Sequence, residues 1–211
     1  VEQIADSQMA TIFAMAKLAE SRDDETGTHL ERVREFCSVL IEGLAVRRPD
    51  LGIDSCIVRN VVQASPLHDI GKVAIRDAIL LKPGSLPAEE FEVMKTHTIL
   101  GAQTLEAVYA KYPHNDFLAV GIDISRSHHE RWDGAGYPDG LGGVDIPLCA
   151  RVMAVADVYD ALRSKRVYKE AVSHEEAVAQ ILGECGTHFD PDVVGVFERN
   201  ESRFAEIFRS R

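Results

Sequence analysis

Apolar residues recur at helical spacing along almost the whole chain. Ile4, Ile12, Phe13, Met15, Ala16 and Ala19 predict an amphipathic helix over residues 4–20. A polar, capping-rich break follows, Arg22-Asp23-Asp24-Glu25-Thr26-Gly27-Thr28. Leu30, Val33, Phe36, Cys37, Leu40, Ile41 and Leu44 then alternate at three and four, the stripe of a second helix. Pro49 to Asp54 reads as a turn. Ile57, Val58, Val61, Val62, Ala64 and Leu67 form a third stripe, which runs into His68-Asp69-Ile70-Gly71-Lys72. After the short apolar stretch from Ala74 to Leu81, the turn from Lys82 to Pro87 ends on a proline that can start a helix over 87–109. Tyr112-Pro113-His114-Asn115 breaks the chain again. Phe117, Val120 and Ile124 then lead along one face into His128, with His129 beside it. Val152, Val155, Ala156, Tyr159 and Leu162 line the inner face of a further helix that embeds Asp157 and Asp160, and two short helices, about 174–185 and 191–208, close the chain.

Residues 131–148 break this pattern. Five glycines and two prolines exclude regular structure there, while Trp132, Tyr137, Leu141 and Ile146 point to an ordered loop. With little strand signal and no repeat, the expected fold is all-α, a helical bundle with one long ordered Gly-rich loop. A chain of 211 residues with 45% apolar content can bury one full core. The expected division is a connector helix over 1–21, leading from an upstream domain, and one domain over 22–211. The start at Val1 fits an excised piece of a longer chain, and no signal peptide is legible. No run approaches the ~18 consecutive apolar residues of a membrane span. Cys37, Cys56, Cys149 and Cys185 have no paired spacing and read as reduced core thiols of a cytoplasmic protein. A net charge of −11 argues against a nucleic-acid polymer as partner but leaves room for a compact phosphate-bearing ligand.

The chemistry gathers where apolar stripes meet histidines. Of eight histidines, His29, His68, His97, His128 and His129 lie on or beside such stripes, whereas His114, His174 and His188 fall in turns or caps. A buried imidazole and carboxylate side by side, as in His68-Asp69, cost several kcal/mol without partners, and a metal is their natural counter-charge. Glu25 stands four residues before His29, on the same helical face, although a carboxylate at a helix start has an ordinary role too. With Asp69, Asp157 and Glu25 the set reaches eight nitrogen and oxygen ligands and no cysteine, a mixture suited to transition metals. That is more than one ion needs, so two or three are expected, with Asp69 as the bridge. Lys72 falls four residues after His68 and, if the helix continues, shares its face. A cation beside metals suggests an anionic substrate, and Arg163, Lys165, Arg166 and Lys169 add a basic patch. Two neighbouring cations stabilise in-line displacement at phosphorus and lower the pKa of a bridging water from ~15.7 to near 7.

Four strings then resemble the HD phosphohydrolase superfamily and its HD-GYP branch: Asp24-Glu25-Thr26-Gly27-Thr28-His29, Pro66-Leu67-His68-Asp69-Ile70-Gly71-Lys72, His128-His129-Glu130-Arg131-Trp132-Asp133-Gly134-Ala135-Gly136-Tyr137-Pro138 and Ala156-Asp157-Val158-Tyr159-Asp160-Ala161-Leu162. The resemblance runs from about residue 10 to 197. It implies an HD-type bundle and a bacterial phosphodiesterase opening cyclic di-GMP to pGpG, with GMP as a further product, attached to receiver or other sensory domains. By the same resemblance Glu25, His29, His68, Asp69, His97, His128, His129 and Asp157 ligate metal, iron or manganese first among the candidates. Asp69 and Lys72 are the catalytic pair, with Lys72 phosphate-facing, and Arg166 and Lys169 contact substrate. Gly136-Tyr137-Pro138 is the signature loop, implicated in contacts with GGDEF-domain cyclases. A homodimer is compatible with all of this. Departures are few: Ala74, Arg76 and Val167 stand where the family often has Gly, Pro and Pro, and only Val167 bears on the substrate side. Three other readings share parts of the pattern: a hydrolase of another cyclic dinucleotide or nucleotide, a non-catalytic cyclic di-GMP sensor, and an oxygen-activating di-iron protein. Intact ligands speak against the sensor, and Lys72 with the basic patch speaks against the oxygenase.

Overall fold

A computed structural model describes residues 2–22, 28–165 and 171–211, with side chains from Met9 onward. Helix α1 spans Glu2–Glu20, α2 His29–Arg47, α3 Ser55–Ala64, α4 Asp77–Leu80 and α5 Ala88–Tyr109. They are followed by α6 at Asp116–Ser127, α7 at Leu148–Arg163, α8 at His174–Gly183, α9 at Pro191–Arg199 and α10 at Glu201–Ser210. Among the described residues there is no strand, only an isolated bridge between Cys185 and Phe189. The all-α bundle expected from periodicity is what forms.

Local chemistry sets the starts of several helices. The Asp54 carboxylate accepts from the backbone N–H of Cys56 and Ile57 at 2.9 Å and caps α3. Asn115 caps α6 through Leu118 N, and Ser173 with Glu176 forms a reciprocal capping box at α8. The ends depart from expectation at two places. Pro66 has no N–H to donate, so α3 stops at Ala64 and the chain tightens into 3-10 turns over Ser65–Leu67 and Ile70–Ala74. The closing 191–208 helix is in fact two, α9 and α10, broken at Asn200, whose side chain donates back to Val196 O at 2.8 Å.

The core is centred on α2, which is buried along Val33, Phe36, Leu40, Ile41 and Leu44 between α7, α9 and α3. Phe36 stacks on Phe204 with centroids 4.4 Å apart, and Tyr159 meets both edge-on. Each such side chain contributes about 1.5–3 kcal/mol by leaving water. A second cluster, Ala16, Leu30, Leu67, Leu105 and Leu118, fastens α1 to the body and brings its last turn over the chain around His68. Cys37 and Cys149 are buried as expected of core thiols, but Cys185 is exposed in the turn after α8.

The loop from Arg131 to Pro147 is held at both sides. Trp132 N and Asp133 N donate to His188 O and Thr187 O, at 3.0 and 2.8 Å. Glu130, only 2% exposed, accepts from Asp139 N and Gly140 N through one carboxylate oxygen. Gly136 crosses so close to the chain before it that a Cβ would sit 2.4–2.6 Å from the backbone of residues 129–131. Only glycine fits.

Candidate metal centre

The tight turns after α3 decide how the central motif is presented. His68 ends one 3-10 turn and Asp69 precedes the next, so at three residues per turn Asp69 and Lys72 share a face. Lys72 Nζ accordingly lies 2.9 Å from Asp69 Oδ2, rather than on the His68 side that a continued α-helix would give. Around this corner stand His29 at the first position of α2, His97 midway along α5, His128 and His129 just past α6, and Asp157 inside α7. Gly71 makes the close approach possible: a Cβ there would lie 1.9 Å from His97 O and 2.6 Å from Gly101 N.

Asp69 is shared between two groups of donors. Its Oδ1 lies 3.2 Å from His97 Nε2 and 3.7 Å from His128 Nε2, while Oδ2 lies 3.3 Å from His68 Nε2. Asp69, His97, His128 and His129 place one ligand atom each within 4.8 Å of all the others, and so do Glu20, His29 and His68. Asp157 Oδ1 faces the second group, 3.9 Å from both His29 Nε2 and His68 Nε2.

The ring tautomers follow from the outer partners. Nδ1 of His68, His97 and His128 donates to the carbonyls of Ser65, Met94 and Ile124 at 3.0, 2.8 and 2.9 Å. His29 Nδ1 lies 2.7 Å from Asp160 Oδ2 and donates to it. Since these oxygens only accept, each Nδ1 holds the proton and each Nε2 turns a lone pair inward. Asp69 Oδ1, His97 Nε2 and His128 Nε2 are buried with no hydrogen-bond partner among the described residues. His29 Nε2 and His68 Nε2 confront each other at 3.5 Å. Buried acceptors aimed at acceptors are costly unless a cation lies among them, so these residues fit divalent metal.

The titration of the pocket agrees. Burial opposes a charge on His68, yet the Asp69, Asp157 and Glu20 carboxylates outweigh it and raise its pKa to about 10. With no cation among these carboxylates a proton on His68 Nε2 takes that place, and a metal bound there would displace it. Burial, reinforced by neighbouring imidazoles, drops His128 to about 3 and His129 well below its ordinary value, which keeps both neutral as ligands must be. For Asp69, burial alone would favour the acid form, but Lys72 and His68 hold it well below the usual carboxylate range.

Three buried groups were not assigned a role from sequence. Asp160, 1% exposed, accepts from Arg32 Nε and Nη2 at 2.5 and 2.8 Å while it orients His29. Glu20, at the end of α1, brings its Oε1 to 3.7 Å from His29 Nε2 and adds a carboxylate to the second group. Glu130 braces the loop that carries Tyr137. The Tyr137 ring lies 4.8 Å from His129 at 29°, and the Tyr137 backbone N–H donates to His129 O, so Gly136-Tyr137-Pro138 seats an aromatic cover on a donor imidazole. Glu25, Arg166 and Lys169 lie outside the described residues. His174 and His188 take ordinary polar roles with Tyr159, Glu201 and Glu184.

The HD domain family model matches residues 14–193. The chain belongs to the HD domain family. This HD domain is 50% identical over 95% of its length to a probable cyclic di-GMP phosphodiesterase of Vibrio cholerae, covering 46% of that protein. It is 38% identical over 93% of its length to 3'3'-cGAMP-specific phosphodiesterase 2 of the same organism, covering 35% of it. The chain thus spans less than half the length of either relative. A crystal structure of a cyclic GMP-AMP specific phosphodiesterase from V. cholerae superposes with a TM-score of 0.60 at 22% identity, over 92% of this HD domain and 50% of that chain, a likeness of fold.

Proposed function

We propose that this HD domain is a metal-dependent phosphodiesterase that hydrolyses cyclic di-GMP to pGpG, with GMP as a further product. The observation that carries the reading is the division of Asp69 between two buried donor groups, with the Lys72 ammonium against the same carboxylate. Relatives that bear the names of cyclic-dinucleotide phosphodiesterases support the substrate class. His97, His128 and His129 with Asp69 would hold one ion, and His29, His68, Asp157 and Asp69 a second. Glu20, and Glu25 beyond the described residues, are the carboxylates available for a third. Iron or manganese suits this oxygen and nitrogen set. Ions so held supply Lewis acidity and a hydroxide nucleophile at neutral pH.

The chain's own groups do the rest. Asp69, kept ionised by Lys72 and His68, holds the two donor groups in register. Lys72 Nζ, half-buried at the floor of a cleft of about 330 Å³, takes a non-bridging phosphate oxygen and stabilises charge as the phosphorus becomes five-coordinate. Asp160 keeps His29 in its tautomer through the reaction. Arg166 and Lys169 remain the proposed contacts for the second phosphate. A connector role for residues 1–21, an upstream receiver or sensory domain, GGDEF-domain partners, a homodimer and a cytoplasmic location belong to the same proposal. No helix among the described residues is long and apolar enough to cross a membrane. A second substrate, 3'3'-cGAMP, is favoured by the relative named for it.

The test is elemental analysis of the purified chain together with chromatography of products from cyclic di-GMP and 3'3'-cGAMP. Two or more ions per chain and release of pGpG are expected. A loaded protein that leaves both dinucleotides intact would refute the assignment.

A further inference from the structure

The cleft over the donor groups has one wall that neither folding nor metal binding explains. Phe91, on the first turns of α5, is 43% exposed and belongs to no apolar cluster, although it lines the cleft that contains Asp69 and Lys72. Its ring meets Tyr137 edge-on with centroids 6.3 Å apart, and Tyr137 in turn lies on His129. The Lys95 ammonium stands over both rings, 5.3 Å from Phe91 and 5.5 Å from Tyr137. The two rings, at 80° to each other and one ring contact from a metal donor, make a shelf with apolar faces, edged by the Lys95 ammonium and the Glu92 carboxylate 2.5 Å from it. Purines present the complement: a broad π-face, with electron-rich carbonyl and ring-nitrogen edges.

We propose that Phe91, Tyr137 and Lys95 form a base-stacking subsite that seats one purine of the dinucleotide, so that the phosphate attached to it falls over Asp69 and Lys72. This rests on the phosphodiesterase reading above and adds what that reading lacks, a means of recognising a base. Phe91 supplies the stacking face and Lys95 Nζ donates to an acceptor on the base edge. Tyr137 serves twice, as the second wall and as the cover that holds His129.

The test uses Phe91→Ala, Phe91→Trp and Phe91→Leu in the metal-loaded protein, with cyclic di-GMP as substrate. Inorganic phosphate serves as a competitive inhibitor that has no base. Loss of one stacking face should raise KM roughly ten-fold with kcat little changed, an effect of about 1.4 kcal/mol. The Ki of phosphate should move far less than KM. The Trp variant should bind cyclic di-GMP at least as tightly as the native protein by calorimetry. Leu, with apolar bulk but no ring face, should fail to restore binding. An unchanged KM in Phe91→Ala, a parallel rise in KM and in the phosphate Ki, or rescue by Leu overturns the stacking subsite. Should the native protein turn over no dinucleotide, the phosphodiesterase reading fails instead, and calorimetry on Phe91→Ala still decides the shelf.

Discussion

Removing Asp160 should separate what holds the fold from what holds the metal. Its carboxylate is 1% exposed and has three partners: the Arg32 guanidinium, itself 4% exposed and joined through two hydrogen bonds, His29 Nδ1 at 2.7 Å, and the Ser164 hydroxyl, which donates to it at 3.3 Å. In Asp160→Ala the guanidinium loses this buried carboxylate partner, at a cost of about 3–5 kcal/mol. At roughly 2–4 °C per kcal/mol for a domain of this size, the metal-free protein should melt about 6–20 °C lower. His29 also loses the acceptor that fixes its tautomer, so affinity at the second donor group should fall about 10- to 100-fold. An Arg32→Met/Asp160→Leu double variant removes both charges. It should recover most of the melting temperature, because apolar replacement of a buried pair is close to neutral, yet it should not recover the metal. The pH dependence has a definite sign. Burial works against ionised Asp160, but Arg32 and His29 outweigh it and lower its pKa from the ordinary 3.8. The stability it confers is therefore complete above that value and lost as pH falls through the lower folded one. Native protein should show acid-induced loss below about pH 4 that the double variant lacks. Calorimetric melting in chelator, with metal titration alongside, measures all three quantities. A single variant that melts within about 1 kcal/mol of native protein, or a double variant with native metal affinity, would refute the reasoning.

Other substitutions probe the remaining parts. Asp69→Ala should empty at least one donor group and abolish hydrolysis, and retention of full metal content by elemental analysis would contradict a shared ligand. Lys72→Ala should keep its metals but lose about 1.5–3 kcal/mol of transition-state stabilisation, roughly 10- to 150-fold in kcat/KM. Equal kinetics would remove Lys72 from the site. Glu20→Gln should reduce occupancy beside His29 and His68 alone, read as a changed metal stoichiometry with an unaltered melting temperature in chelator. Gly136→Ala must displace the backbone of residues 129–131, since its Cβ would come within 2.6 Å of it, and activity should fall with His129 out of place. Native turnover in that variant would show that the loop can yield.

Much of this was legible in the chain because apolar spacing and histidines coincide. A stripe such as Phe117, Val120 and Ile124 aims the helix, and the residue one turn on, His128, must then be buried. The supporting groups were harder to read for a physical reason. Asp160 and Arg32 lie 128 positions apart, and nothing local in either helix reveals that each neutralises the other. Glu20 had a weak signal, four residues after Ala16 on the buried face of α1, masked by its place beside a polar break. The end of α3 was written in Ser65-Pro66, but an apolar stripe that ran past it to Leu67 concealed the change of winding. Tyr137 looked like a contact for other proteins because glycines and prolines around it conceal which way a loop folds back.

The crossing of Gly71 under His97 bears on the order in which the centre fills. There Asp69 and His97 are spaced by main chain pressed against main chain, so their separation is set before any ion arrives. The second group is spaced by longer levers, with Glu20 reaching in from the end of α1 and His29 hung on Asp160. A rigid socket loses little entropy on loading, whereas an adjustable one must be drawn together. A first ion held by Asp69 would also take up part of the carboxylate charge that a second would need. On the two-ion proposal, loading is expected to be sequential and unequal, with the tighter position at His97 and Asp69, and stepwise metal titration followed by calorimetry checks it: two equal affinities would refute it.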